Sequence, residues 1–324
     1  MNLPLSAVDD EELAALLPRL NDDDATVRRL ALIELAELED EAHLPWLLAA
    51  LSDADADVRA EAAGRIGCWE SPATVDALVR ALEDAAVTVR QAAAQSLTEI
   101  RLADSGRRLL PALAHASPFV RASVLRALRE LRLPEACAAA LQAAGAAEAD
   151  VRLEAVGVLG WLKRGEALPV LAGLATGDAD PEVRRAAVGA LGLAVDDSVL
   201  PALLQALADP VWQVREEAAT TLGKLRLEAA LEALVSALED DYWQVRLRAA
   251  RTLGRLKDGR AVRPLVASAL VHSSANLRKE AAIALGEIAD PAALDGLQRA
   301  AADADPEVRK AARLAIELVQ AART

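Results

Sequence analysis

The chain has 324 residues and a formal net charge of −14, and it is 53% hydrophobic but only 2% aromatic. That acid excess argues against a phosphate-backbone binder, which needs clustered positive surface, and no apolar run approaches the roughly 18 to 20 residues that span a bilayer. The opening MNLPLSAVDD lacks the basic flank and apolar segment of a secretory leader, so a cytoplasmic protein with no membrane or nucleic-acid partner is expected.

After a tail at about 1–9, the apolar periodicity predicts helices over 11–20 and 26–38, then an apolar segment at 46–51 and another helix start near Val58. The same alternation recurs to the end, as at 199–207 and 262–270, and closes with a helix around 307–321. Each unit therefore reads as two antiparallel helices, the first often carrying proline in its opening turn, as at Pro45, Pro201 and Pro264. Asp180-Pro181, Ser117-Pro118 and Asp305-Pro306 read as starts of the second helix, a capping residue followed by a proline suited to the first turn.

The second helix carries a repeated anchor. It stands at Val27, Val58, Val89, Val120, Val151, Val183, Val214, Val245, Leu277 and Val308, each followed by arginine, with successive spacings of 31, 31, 31, 31, 32, 31, 31, 32 and 31 residues. A fixed period of this kind belongs to a stacked array. Four residues after the anchor stands alanine in nine copies, with Val124 the exception, and eight after it stands leucine or isoleucine in all ten. The reading is an all-α, right-handed α-solenoid of about ten two-helix repeats, one domain over 1–324.

With this period and the pattern Val-Arg-x-x-Ala-Ala-x-x-Leu-Gly, the chain resembles the HEAT-like repeats first associated with phycobilisome lyases, over essentially its whole length. The resemblance implies the solenoid and leaves the activity open, because that family includes scaffolds, bilin lyase subunits, a di-iron hydroxylase and DNA glycosylases. The hydroxylase relatives rely on His-Glu pairs. None of His43, His115 or His272 is followed by glutamate, so that activity is not expected. The pattern departs from the family around His115, Ala146 and ADSGRRLL, where a change in curvature is expected.

Five residues before the anchor an aspartate recurs, at Asp22, Asp53, Asp84, Asp178, Asp209, Asp240 and Asp303, always six residues ahead of an arginine. Stacking brings these turns into a row, and an Asp-Arg ladder of the same or adjacent units is preferred over a metal-binding edge. His115 and His272 occupy turn positions and read as substitutes there. Cys68 and Cys137 are too far apart for a disulfide and are expected as free thiols, packed in the interior, with partial exposure the alternative for Cys68 beside Trp69 at a helix end. Nothing in the sequence assigns a catalytic residue, a cofactor or a metal.

Candidate partner-binding residues come from two features. Helical angles turn the residues two and six places after the anchor away from the core, a stripe expected to line a concave face. It carries Arg29, Arg126, Arg185, Arg251, Lys279 and Lys310 against Glu216, a mildly basic groove in an acidic chain. The alternative is that these cations balance Glu61, Glu154, Glu217 and Glu280. Trp212 and Trp243 occupy equivalent places in adjacent units, so with Tyr242 they read either as rings each packed over its own helix start, the preferred reading, or as an aromatic cluster at the turn edge. The function read from this is a non-catalytic scaffold binding a protein or acidic peptide through Arg126, Arg185, Trp212, Trp243, Arg251 and Lys279. The resemblance adds two alternatives, a bilin or cofactor lyase or maturation subunit and a HEAT-like nucleic-acid glycosylase.

Overall fold

The computed structural model describes residues 11–322, and the tail expected at 1–9 lies outside them. The described chain is helical and divides into two compact units, residues 1–162 and 163–324. No helix among the described residues is long and apolar enough to cross a membrane.

The first unit contains five helix pairs among the described residues. They are Glu11–Leu20 with Ala25–Glu37, Leu44–Ala50 with Ala56–Arg65, Pro72–Ala81 with Val87–Leu97, Ala103–Leu109 with Pro118–Leu128, and Ala136–Ala143 with Ala149–Leu162. The second unit repeats the arrangement with Leu168–Gly177 and Pro181–Ala190, Leu200–Ala206 and Trp212–Leu225, and Leu231–Ser236 and Trp243–Leu256. Its last two pairs are a segment spanning 262–270 with Ala275–Ile288, and Leu294–Ala300 with Pro306–Ala321. The 262–270 segment departs from a regular helix: it widens into a π-turn over Leu265–Ala269, and the Leu270 N–H donates to the Leu265 carbonyl.

The anchor periodicity becomes the core. The residue four after the anchor is buried in every copy, including Val124, and the one eight after it is buried in all but Ile316 of the last pair. Val27, the anchor of the first described pair, is likewise half-buried. Burying each leucine is worth about 1.5 to 3 kcal/mol, and alanine at the inner position lets neighbouring backbones approach.

Recurring glycine nine places after the anchor serves this approach. A Cβ on Gly254 would lie 2.7 Å from Ala284 Cα, and one on Gly286 would lie 3.0 Å from Ala315 Cα. The left-handed residue that ends many of these helices comes three places later and is not glycine: Glu39, Arg132, Lys163, Arg226, Lys257 and Ala289 all have φ between 51° and 57°. Two buried hydroxyls tie adjacent helices together as well. Ser96 donates to the Ala63 carbonyl at 2.7 Å and Thr252 to the Ala219 carbonyl at 2.8 Å.

Turn aspartates and anchor arginines form the ladder that fixes register. In the first unit Arg28 donates to both carboxylate oxygens of Asp53 at 2.7 and 2.8 Å, and Arg59 to those of Asp84 at 2.8 and 2.9 Å. In the second unit Arg184 holds Asp209, Arg215 holds Asp240 and Arg278 holds Asp303 in the same fork. Each of these arginines also donates to the backbone carbonyl six residues before it in its own turn. The side chain thus reaches the next repeat's aspartate, while its own turn is bound through the main chain.

The ladder is interrupted where the sequence departs from the pattern. Arg90 has no aspartate to meet at His115 and lies instead over the Phe119 ring, 5.9 Å from its centroid, while Arg121 pairs with Glu148. His115 and His272 take over the other duty of the turn aspartate: each Nδ1 accepts the backbone N–H two residues on, from Ser117 and Ser274, at 3.0 Å. Ser117 makes no side-chain capping bond, so the cap expected there does not form, and His115 bonds only the N–H ahead of the first turn. Asp24, Asp55, Asp180 and Asp305 cap their helices through the side chain.

Candidate interaction face

Each second helix turns one stripe away from its partner helix. The residues two and six after the anchor are exposed or half-buried throughout, except Ala122, which is buried. The predicted stripe is therefore surface, and its charges can be followed one by one.

In the first unit Arg126 is exposed and donates to Glu154 at 2.8 Å, with Arg129 also 3.7 Å from that carboxylate. Glu154 is itself buried. In the second unit Arg251 forks onto the buried Glu280, both contacts at 2.7 Å, and this pairing raises the arginine's pKa. Arg185 is exposed and pairs within its helix with Glu182 at 2.8 Å. Burial raises the pKa of Glu217, opposed by the positive charge of Arg185 and neighbouring cations. Lys279 is half-buried, Lys310 is exposed, and neither forms an ion pair among the described residues.

In two copies, therefore, an arginine six after an anchor braces its repeat to a glutamate three after the next anchor. The brace consumes Arg126 and Arg251, two of the residues the sequence assigned to a partner. The charge balance of the face also changes once the residues three and ten after the anchor are included, because these share it. In the first unit Glu37, Glu61, Glu99, Glu130 and Glu154 outnumber Arg29 and Arg126, so the expected basic groove is acidic there. In the second unit Lys224, Arg248 and Arg255 join the stripe cations and outweigh Glu216, Glu217, Glu280 and Glu287, so the face is basic. The two-position stripe missed this because side chains near helix ends reach the same surface from outside those positions.

A 640 Å³ cavity opens on the first unit's face, walled by Glu37, Glu39, Asp57, Glu61 and Glu99 with Arg29 and Arg65. Cys68 lies at its edge and is exposed, the alternative to the packed thiol expected, with its thiol donating to the Arg65 carbonyl at 3.1 Å and its pKa raised by burial of the sulfur and by the fields of Glu39 and Glu99. Cys137 is buried. Among the described residues no three His, Cys, Asp or Glu side chains are placed to hold a metal ion.

At the turn edge of the second unit Trp212 stacks on Tyr242, with centroids 5.4 Å apart and planes 13° from parallel, and the Arg215 guanidinium lies 5.7 Å from the Tyr242 centroid. The cluster, the less preferred of the two readings, forms, but with Trp243 outside the stack: Tyr242 and Trp243 are 45% and 44% exposed. Of the two tryptophans Trp243 is the exposed one, Trp212 being half-buried. In the first unit Trp161 is also exposed, with Arg132 lying over it at 4.9 Å.

Comparison with known proteins agrees with this architecture. A family model described as HEAT repeats matches residues 13–98, 106–180, 173–246 and 231–317. Among solved structures, an engineered protein aligns at TM-score 0.55 and 22% identity, covering 96% of this chain and 99% of its own. Importin beta aligns at TM-score 0.63 and 16% identity over 96% of this chain, which spans about half of that protein's length, at 51%. Kap95p, in a structure described as its binding to RanGDP, aligns at TM-score 0.63 and 17% identity, with 95% of this chain and 50% of that one covered. A search of curated proteins finds no match. Stacked helix pairs, a shared register ladder and four family matches across the chain lead to one conclusion: it belongs to the HEAT-repeat family and is an α-solenoid.

Proposed function

We propose that the protein is a non-catalytic scaffold whose second unit receives an acidic segment of a partner protein on its basic face. The observation that carries this is the state of the cations: Lys279 and Lys310 stand on the stripe without an ion pair, whereas Arg126 and Arg251 are spent on buried glutamates. An unpaired cation can exchange water for a partner carboxylate without breaking anything in the fold. Trp243 contributes an exposed aromatic ring at the edge of the same unit. Structural likeness to importin beta and Kap95p, the latter described as binding RanGDP, supports a protein partner.

Two other readings receive less support. A bilin or cofactor lyase would bring a tetrapyrrole whose propionates meet like charge in the acid-walled cavity. A glycosylase needs a basic track for the phosphate backbone, and the first unit's face is acidic.

The test is fluorescence anisotropy with a labelled Glu/Ser peptide. Lys279→Glu combined with Lys310→Glu is expected to weaken binding about ten-fold or more and to flatten its salt dependence. Equal affinity of the double variant and the parent chain would refute the reading. Charge reversal at Arg251 is not a clean test, since it strands Glu280.

A further inference from the structure

We propose that Ile283, Leu314 and Leu318, flanked by Lys279 and Lys310, form a docking patch in the second unit for an acidic amphipathic helix. This rests on the reading that the second unit takes an acidic partner, and it adds an apolar seam to that partner. The three side chains are 39%, 57% and 46% exposed. They belong to the helices Ala275–Ile288 and Pro306–Ala321, whose register is fixed by Gly286: a Cβ there would lie 2.9 Å from Ala315 Cβ and 3.3 Å from Leu318 Cδ1. Leu318 therefore lies against the glycine of the preceding helix. Leu314, one turn earlier on the same face, occupies the position equivalent to Ile283 in the neighbouring repeat.

Elsewhere on the described stripe this position is mostly polar or glycine, as at Arg251, Arg126, Gln95 and Gly189. Two adjacent copies carrying large aliphatic side chains, continued by Leu318, give a contiguous apolar surface rather than the scattered exposure of ordinary surfaces. Lys279 and Lys310 stand two residues after their anchors, along one side of this surface, with no ion pair. Glu287 lies nearby, in the same row as Leu318, and adds to the charge holding Arg251. An occupant must therefore present aliphatic side chains toward Ile283 and Leu314 and carboxylates toward the two lysines. Leucines spaced by three and four residues with a flanking row of glutamates on one helix meet both demands, and an apolar surface laid on apolar surface supplies affinity that charge alone does not.

The experiment uses two labelled acidic peptides of about 15 residues and equal charge, one with leucines at helical spacing and one with those leucines replaced by serine, titrated into the full chain by anisotropy. The leucine peptide is expected to bind about ten-fold or more tightly than the serine peptide, a difference of about 1.4 kcal/mol. Leu314→Ser and Ile283→Ser should each erase most of that difference while leaving the serine peptide's affinity alone, and both variants should retain the parent's helical circular dichroism. Equal binding of the two peptides to the parent chain, or an unchanged difference in both variants, overturns the patch but leaves the charge reading standing if Lys279→Glu with Lys310→Glu still weakens both peptides. Loss of that charge effect as well brings down both. If sedimentation shows the parent chain dimerising and Leu314→Ser monomeric, a second copy is the occupant and the proposal is wrong.

Discussion

Arg215 and Asp240 join two adjacent repeats through a fork: Nε and Nη2 of the arginine donate to the two carboxylate oxygens at 2.7 and 2.8 Å, and both side chains are largely shielded from water. Asp240 Oδ1 also accepts the Tyr242 N–H at 2.9 Å, so one carboxylate closes its own turn and receives the previous repeat. Asp240→Asn keeps the turn acceptor and loses the charge, with an expected loss of about 1 to 2 kcal/mol, whereas Asp240→Ala loses both and should cost about 2 to 4 kcal/mol. Denaturant unfolding of the two variants beside the parent chain checks the order and the gap.

The glycines separate by location. Gly254→Ala forces a Cβ to 2.7 Å from a backbone atom of the next helix and should destabilise by about 1 to 3 kcal/mol. Gly64, in the helix Ala56–Arg65, has nothing within 4 Å of its hypothetical Cβ, so Gly64→Ala should stabilise by about 0.5 to 1 kcal/mol through helix propensity alone. Thermal melts of the two should shift in opposite directions.

Ala289 ends its helix in the left-handed region, at φ 57°, where a Cβ is costly. Ala289→Gly is expected to stabilise by about 0.5 to 1 kcal/mol, after subtracting the entropy glycine adds to the unfolded chain. A fall in melting temperature would show that the left-handed ending is not the strained element it looks to be.

Acid should undo the ladder in a defined window. The fork from Arg278, helped by the Asp305 N–H, pulls the Asp303 pKa down to about 2, and the hydrogen bond from Arg59 lowers that of Asp84. Both are depressed relative to the unfolded chain, so their stabilisation is fully present above about pH 4 to 5 and is lost as pH falls through each folded value, about 2 for Asp303. Stability measured from pH 5 to 2 should fall, and Asp303→Asn should reduce the slope.

Trp212 and Trp243 are equivalent in sequence but should answer differently to removal. Trp212→Ala breaks the stack on Tyr242, with an expected loss of about 0.5 to 1.5 kcal/mol of stability beyond the area it buries. Trp243→Ala should leave the melt nearly unchanged and weaken capture of an acidic partner. A melt displaced equally by both would remove Trp243 from the interaction face.

The fold was legible because its information is periodic. Val183, Ala187 and Leu191 recur at equivalent places, and only stacked helix pairs bury all of these rows at once. The ladder was half legible. Repetition placed Asp53 and Arg28 in adjacent turns, but that the guanidinium crosses to the next carboxylate and holds its own turn by a carbonyl depends on side-chain reach in three dimensions.

The interaction face was the least legible, and the reason is charge pairing. Sequence alone determined the two-helix repeat, its register, the rows that are buried and the stripe that faces outward, because each follows from the helical period and the need to bury apolar side chains. Only the tertiary structure decided which cations on that stripe are free. Arg126 and Arg251 find carboxylates 28 and 29 residues away on the neighbouring helix, Lys279 does not, and the difference rests on distances between helices that no one-dimensional pattern encodes.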